Sequence, residues 1–401
     1  MAGKRRDDVL EENITGLKYF DKLAPLLARL HQVGCERDKA GNRKLHYDQY
    51  CMLVLLFFFN PVVRSLRAIE QASELRKVQQ KLGCQRASLG SLSEATDVFQ
   101  PERLKEIIAE LGKQLEPIAR DPRLKDVRHT LTLVDGTLLN GLPVLVRASL
   151  ADPRTAKLHA KFRLHTQFDL ERGVPIRIDV TEGISRGEAD ERAVLGRALE
   201  SGRCYVEDRG YAKFRLFNGI VAAESSYVCR LRDNSVYEIE QQRPLVAEDV
   251  EAGITLDALV RIGEYKDAAD RPDHPLRLVV IKTTPHEKRG APGSNGRLLI
   301  ATNLLDLPAW IIALMYRYRW TIEVFFRFFK HVLGCRHLLS HDPVGIEIQA
   351  YCAIIACLLI SLWTGRKPTL RTYEMICHYF TGLAEEDELL AHLAKLQKQD
   401  F

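Results

Sequence analysis

The chain has no Cys-x-x-Cys pair; its nine cysteines stand singly at positions 35, 51, 84, 204, 229, 335, 352, 357 and 377. That spacing excludes a zinc ribbon and a thioredoxin-like redox motif. Single cysteines set in apolar runs act as small hydrophobes and predict a reduced, cytoplasmic protein. No secretory leader is expected, because no apolar core follows the opening MAGKRRDD. No apolar run reaches the ~20 residues of a bilayer span. The two candidates, 51–59 and the 14 residues of 350–363 (AYCAIIACLLISLW), are expected to be helices buried in a large core, so no membrane partner is expected. There is no internal repeat, and neither sign of charge dominates. Against 53 acidic residues stand 58 basic ones, a net charge of +5 that permits nucleic-acid binding without arguing for it.

What is present is enough for a large core: 401 residues, 46% hydrophobic and 28% charged, which predicts two or more domains. Residues 1–125 read as helices. Phe20, Leu23, Leu26, Leu27 and Leu30 recur at helical spacing, Ser65 opens a helix, Ser91 with Glu94 forms a capping-box pair, and Pro101 starts another helix. Short helices with tight turns suit a helix-turn-helix module and any small bundle equally. Near residue 128 the character changes. Thr130 to Val134 reads as a strand ending at Asp135-Gly136-Thr137, and Leu158 to Leu170 alternates apolar and polar without a slip. Glu171-Arg172-Gly173 turns the chain into a second alternating strand through Val174, Ile176, Ile178 and Val180. A helix around Ala189 to Leu199 follows, then a strand stopping at Asp208-Arg209-Gly210-Tyr211, then a helix over 213–222. Strand, strand, strand, helix, strand, helix is the order of a ribonuclease H-like domain. Residues 225–303 carry strands at 227–232, 236–239, 277–283 and 297–302, with a basic turn at 285–296. Helix resumes near 308.

The run 316–330, YRYRWTIEVFFRFFK, is the most specific feature. At about 100° per residue, Tyr316, Arg319, Trp320, Glu323, Arg327 and Lys330 share one helical arc, and Ile322, Phe325, Phe326 and Phe329 share another. One carboxylate among several cations suits a site where a Glu binds a metal and its neighbours bind phosphate. Asp135 and Asp208 end the first and fourth strands, which are neighbours in a ribonuclease H-like sheet, and a helix on that edge brings Glu323 beside them. Three clustered carboxylates repel unless a cation lies between them, and hard divalent cations take oxygen ligands. Each feature alone has a plainer explanation: an Asp-Gly turn, or an i, i+4 ion pair worth a few tenths of a kcal/mol. Trp320 is expected to pack beside Glu323. His159, Lys161, Arg163 and His165 line one strand face, which is either open to DNA or simply solvated. Arg230 and Arg232 alternate on their strand, so at most one of them points at the site.

The spacing Tyr316-x2-Arg319-x3-Glu323-x6-Lys330 resembles the signature of the DDE transposases of bacterial insertion-sequence family four, the YREK group. Asp135 in Val-Asp-Gly-Thr and Asp208 in Asp-Arg-Gly-Tyr look like that family's two catalytic aspartates, and the similarity extends over about 50–365. The resemblance implies an α/β fold: a ribonuclease H-like catalytic core at 126–224 and 304–365, interrupted by a β-rich insertion at 225–303. An N-terminal helical DNA end-binding domain at 1–125 and a C-terminal helical segment at 366–401 complete it. It implies cut-and-paste DNA transposition by two-metal phosphoryl transfer, with 3′-end nicking, a hairpin step and strand transfer. Asp135, Asp208 and Glu323 would hold Mg2+, for which Mn2+ may substitute. Tyr316, Arg319 and Lys330, with Arg327 and Arg230 beside them, would contact DNA. The implied partners are double-stranded DNA (terminal inverted repeats and target) and a second copy of the chain, at the nucleoid in the cytoplasm. One departure stands out: some members stack a flipped base on a Trp in the insertion, and this chain has Trp only at 310, 320 and 363. Tyr237 or Tyr265 is left for that role. Two other readings stay open, a catalytically inactive DNA-binding protein derived from a transposase and a ribonuclease H-like nuclease without strand transfer.

Overall fold

The computed structural model describes residues 23–31, 37–38, 41, 43–117, 121–140, 161–183, 186–263, 271–283, 296–332, 334, 338–340 and 342–395. Helices come first: α1 (Ala24–Ala28), α2 (Tyr47–Phe59), α3 (Leu66–Ser73), α4 (Arg76–Leu82), α5 (Leu89–Val98) and α6 (Glu102–Gln114). The Ser65 side chain caps α3 by accepting from the Ala68 N–H at 3.2 Å. For α5 the cap is Ser88, which accepts from Ser91 N–H, and not the expected Ser91–Glu94 pair. The helix starts three residues earlier because Leu89 and Leu92 both carry its first turn.

The sheet follows: β1 (Thr130–Asn140), β2 (Lys161–Asp169), β3 (Val174–Glu182), α7 (Glu191–Gly196), β4 (Arg203–Glu207), α8 (Phe214–Ala222) and β5 (Ser226–Arg230). Then come β6 (Tyr237–Gln242), α9 (Ala247–Glu251), β7 (Ile254–Ile262), β8 (Leu276–Lys282) and β9 (Arg297–Thr302). The nine strands form one sheet in the order β3-β2-β1-β4-β5-β9-β8-β7-β6. β1 pairs antiparallel to β2 and parallel to β4, and β4 pairs parallel to β5. Strands β6–β9 continue the same sheet through the antiparallel β5–β9 pair. β7 lies outside the expected strands, although Ile254, Leu256, Ala258, Val260 and Ile262 alternate; Asp257 falls on the other side of that alternation. That carboxylate is buried and bonded in bidentate fashion to Arg277 of β8 (2.7 and 2.8 Å), which is 1% exposed.

Helices α10 (Ala309–Tyr318), α11 (Trp320–His331), α12 (Pro343–Thr364), α13 (Leu370–Phe380) and α14 (Glu386–Lys395) complete the chain. At 22 residues α12 is longer than the 350–363 run and apolar enough to cross a membrane, yet 89% of its most apolar window is buried inside the protein. It packs on α2, α5, α6 and β3. Alternation along β1 divides two cores. Leu131 and Leu133 face a large core with α2, α6, α10, α11 and α12, whereas Val134 faces a smaller one with Tyr205, Tyr211, Phe217 and Tyr227 under α7 and α8. Asp135 shares the parity of Leu133, which turns it towards α10 and α11, and Gly136 shares that of Val134.

For the described part of the β2 polar face, both readings are overturned at His165. His165 and Gln167 are buried, because α7 covers that side of the sheet. His165 Nε2 bonds the Thr181 hydroxyl at 2.8 Å, Gln167 donates to Ala198 O at 3.1 Å, and Arg163 pairs with Glu191. His159, Leu158, Ala160 and residues 285–295 of the basic turn lie outside the described residues, as does the side chain of Lys161.

Candidate active site

The site begins where two parallel strands separate. The β1–β4 ladder runs from Thr130↔Arg203 to Val134↔Glu207, so Asp135 and Asp208 are the next residues in register. β4 ends there and its chain turns through Arg209–Tyr211, while β1 does not stop at Asp135 as its sequence predicts. It continues to Asn140, because β2 pairs with it all the way. Asp135 therefore sits within a strand, one residue past the last residue that β4 covers.

The third acid comes from the helices. The run 316–330 is not one uninterrupted helix: α10 ends at Tyr318, α11 begins at Trp320, and Arg319 forms the joint. Its backbone stays helical (φ −51°, ψ −33°), but the local bonds tighten to i, i+3: Arg319 N–H to Tyr316 O at 3.0 Å and Ile322 N–H to Arg319 O at 3.2 Å. The apolar arc is buried as its spacing predicts, with Ile322 and Phe329 at 0% exposure, and Phe325 stacks obliquely on Phe168 of β2. This packing lays α11 over the β1–β2 edge and aims the other arc at the strand opening.

Arg319 joins the parts. Its guanidinium donates to Glu323 Oε1 at 2.6 Å and lies 3.5 Å from Asp135 Oδ2. Tyr316 donates its hydroxyl to Asp208 Oδ1 at 3.4 Å, and the Arg319 guanidinium lies 6.0 Å from the Tyr316 ring centre. Asp135, Asp208, Glu323, Tyr316 and Arg319 thus meet at one place. Burial pushes the Asp135 carboxyl up to about 6; the Gly136 N–H (2.7 Å to Oδ1) and Arg319 pull it down, and the charges of Asp208 and Glu323 push it up. Burial, then the Asp208 charge, pushes the Tyr316 phenol up to about 12, so it remains a neutral donor at pH 7.

The remaining expected residues lie further out. Lys330 is half-buried seven residues beyond Glu323, about 10 Å along α11 at 1.5 Å per residue. Arg327 is exposed, its guanidinium 5.8 Å from the Trp320 ring centre. Trp320, expected to pack beside Glu323, is 53% exposed, because it shares the outward arc with Arg327. Arg230, at the end of β5, pairs with Asp233 at 3.3 Å and is close enough to act electrostatically on Tyr316; Arg232 is exposed in a cleft with Arg192 and Lys213. Tyr237 packs on the smaller core, and Tyr265 lies outside the described residues. A cavity of about 600 Å³ opens beside the site, walled by Tyr316, Arg317, Arg319, Trp310, Trp320 and Arg123.

Three carboxylates and no softer donor are what a hard divalent cation requires. Among the described residues no three His, Cys, Asp or Glu side chains stand close enough together to hold one ion, since the Arg319 guanidinium lies between Asp135 and Glu323. The donor set fits such an ion; Arg319 must give up its carboxylate contacts to admit one. Sequence reasoning missed one group near this site, Glu191, whose carboxylate packs behind Gly136 and Gly210.

Residues 128–359 match the profile of a family described as Transposase DDE domain. The chain is similar to a putative transposase, y4zB, of Sinorhizobium fredii (strain NBRC 101917 / NGR234): 29% identical over 201 residues, 50% of this chain and 52% of the relative. It is also similar to a probable transposase for insertion sequence element IS5377 of Geobacillus stearothermophilus: 27% identical over 204 residues, 50% of this chain and 49% of the relative. The chain spans about half the length of these curated relatives. A solved structure of the piggyBac transposase synaptic complex with hairpin DNA aligns over 94% of this chain and 84% of its own, at 11% identity and a TM-score of 0.40, too loose a likeness to bear on the fold.

Proposed function

From the premise that this chain belongs to the Transposase DDE domain family, we propose that it cuts DNA at the ends of an insertion element and joins the freed ends to target DNA. The observation that carries this reading is the junction at Arg319, which reaches Asp135 on the sheet and Glu323 on α11 while Tyr316, one turn earlier, reaches Asp208. The order β3-β2-β1-β4-β5, with β1–β3 antiparallel and β4 and β5 parallel to β1, supports a ribonuclease H-like core. The spacing of Tyr316, Arg319, Glu323 and Lys330 supports placement in insertion-sequence family four, the YREK group.

Asp135, Asp208 and Glu323 are the residues that would hold Mg2+, with Mn2+ as a substitute. Two such ions, when bound, activate an attacking oxygen and stabilise the leaving one. The chain's own groups supply the rest. Arg319, released from its carboxylates, presents a planar fork to two oxygens of one phosphate, and Lys330 offers a point charge. Tyr316 donates a hydrogen bond without losing its proton. Arg327 and Arg230 extend the cationic rim, and the cavity beside Tyr316 and Arg319 leaves a path for the strand. Water cleaves the phosphodiester at each element end; the freed 3′-hydroxyl then attacks the opposite strand, closing a hairpin, and after hydrolytic reopening attacks the target. Two copies of the chain on DNA pair the two ends, at the nucleoid.

The test is incubation of the purified protein with Mg2+ and duplexes carrying the inverted repeats that flank its gene. Cleavage at the repeat boundary followed by joined product supports the reading. Cleavage with neither hairpin nor joined product supports a nuclease, and tight end binding without cleavage supports an inactive DNA-binding protein.

A further inference from the structure

The two proposed aspartates are each followed closely by a glycine, Gly136 and Gly210. Neither has a positive φ, so neither is there to permit a left-handed backbone. Gly136 lacks room for a side chain beside the Glu191 carboxylate, and Gly210 comes within ordinary contact of the same group. A Cβ on Gly136 would lie 2.6 Å from Glu191 Oε1 and 3.3 Å from its Cδ, and one on Gly210 would lie 3.6 Å from Glu191 Oε2. A single carboxylate therefore rests against the backbone of both segments, on the face of β1 opposite the Asp135 side chain.

Glu191 is held there from two directions. It is the first residue of α7, whose start is fixed by Asp190 accepting from the Arg192 N–H at 2.9 Å. Arg163, across from Leu138 on β2, donates to its Oε1 and would stand 3.6 Å from a Gly136 Cβ. Both side chains are only 20% exposed, so the pair is held with little freedom. Tyr211, three residues after Asp208, lines the same small cavity as Glu191, and its buried hydroxyl has no hydrogen-bond partner among the described residues. Burial, then the charges of Glu191 and Asp135, raises that phenol, which keeps its proton for donation. Around Glu191 the β1 end, the β2 side chain and the Asp208 turn converge.

We propose that Glu191, paired with Arg163, is a positioning residue: its carboxylate sets the separation between the β1 segment bearing Asp135 and the turn bearing Asp208. This rests on the metal-holding role given above to those aspartates. Parallel strands past the last ladder rung (Val134↔Glu207) have no backbone bond to hold them in register, and a side chain pressed against Gly136 and in van der Waals reach of the Gly210 turn supplies that constraint. The Gly136 requirement follows directly, since any larger residue displaces the carboxylate.

The test uses Glu191→Gln, Glu191→Ala, Gly136→Ala and the double variant Gly136→Ala/Glu191→Ala in the full chain. Mn2+ binding is followed by calorimetry, and the Mg2+ midpoint of end cleavage is measured in parallel. Expected for Glu191→Ala is a roughly tenfold weaker metal midpoint in both, with a Tm within about 3 °C of wild type. Glu191→Gln, which keeps the shape and the bond to Arg163, should retain most of the wild-type affinity. Gly136→Ala should be as weak as Glu191→Ala, and the double variant no weaker than either, because the new methyl takes the space that the carboxylate leaves. Unchanged metal binding in Glu191→Ala, or additive losses in the double variant, would overturn the positioning role while leaving the transposase reading intact. A wild-type protein that binds no Mn2+ and cuts no DNA would remove both.

Discussion

The Arg319 guanidinium lies 3.5 Å from the Asp135 carboxylate while it bonds Glu323 at 2.6 Å, so one cation links a strand and a helix far apart in sequence. It occupies the ground between two acids that the proposed chemistry requires to share a metal. In the proposed chemistry it exchanges these carboxylates for phosphate oxygens.

Arg319→Lys should therefore not behave as a conservative change. A lysine is a single point charge and cannot serve two oxygens of one phosphate in the planar geometry of a guanidinium. End cleavage should fall at least about tenfold, with one charge-assisted hydrogen bond of roughly 1.5–3 kcal/mol lost, while Mn2+ affinity stays within a few-fold of wild type. Single-turnover cleavage and calorimetry measure the two effects separately.

Asp135 leaves a signature in the pH dependence of stability. Its folded carboxyl lies at about 6 against an ordinary 3.8, so between those values the folded state holds the proton that the unfolded state has released. Stability from this group is complete below about pH 4 and is lost as pH rises through about 6. Asp135→Asn should be more stable than wild type above pH 6, by roughly 3 kcal/mol at 1.36 kcal/mol per pKa unit, and the gap should close by pH 4. Urea titrations across that range check it.

Glu207, one residue before Asp208, should behave the same way over a different window. Burial pushes its carboxyl up to about 8 from 4.5, and the Cys229 thiol beside it pulls it only part of the way back. Its contribution should be complete below about pH 4.5 and lost as pH rises through about 8, and Glu207→Gln should abolish that loss in thermal scans at pH 5 and 9.

The buried Asp257–Arg277 pair makes a prediction about stability alone. Arg277 is 1% exposed and also donates to Leu304 O and Leu307 O, which ties the sheet to the segment leading into α10. Asp257→Ala strands that charge and should cost about 3–5 kcal/mol. Trp320→Ala, at a half-exposed ring, should stay within about ±0.5 kcal/mol. Denaturant midpoints distinguish the two.

Much of the site was legible because its signals are local. The spacing of Arg319 and Glu323 survives the break in the helix, since the backbone at the joint keeps helical angles. The alternation in β2 and the buried arc of α11 were equally plain. Features set by distant neighbours were not legible. Nothing near Asp135 shows that β2 extends β1 to Asn140, nor that α7 covers His165 and Gln167. The buried place of Asp257 in β7 depends on a partner twenty residues on. Glu191 gave no signal at all, because its meaning depends on two glycines in separate segments. Trp320 was misjudged from residue type, when its place on the outward arc decided its exposure.

The most direct test of the account is the rate of Mg2+-dependent strand cleavage at the element's own inverted repeats by wild type and by Glu323→Ala, at protein concentrations that saturate the DNA. The proposed site predicts nicks bearing 3′-hydroxyl ends at the repeat boundary in wild type, and a rate lower by at least about 100-fold in the variant, in keeping with removal of a group that acts on the transition state. Cleavage by Glu323→Ala at the wild-type rate would contradict it.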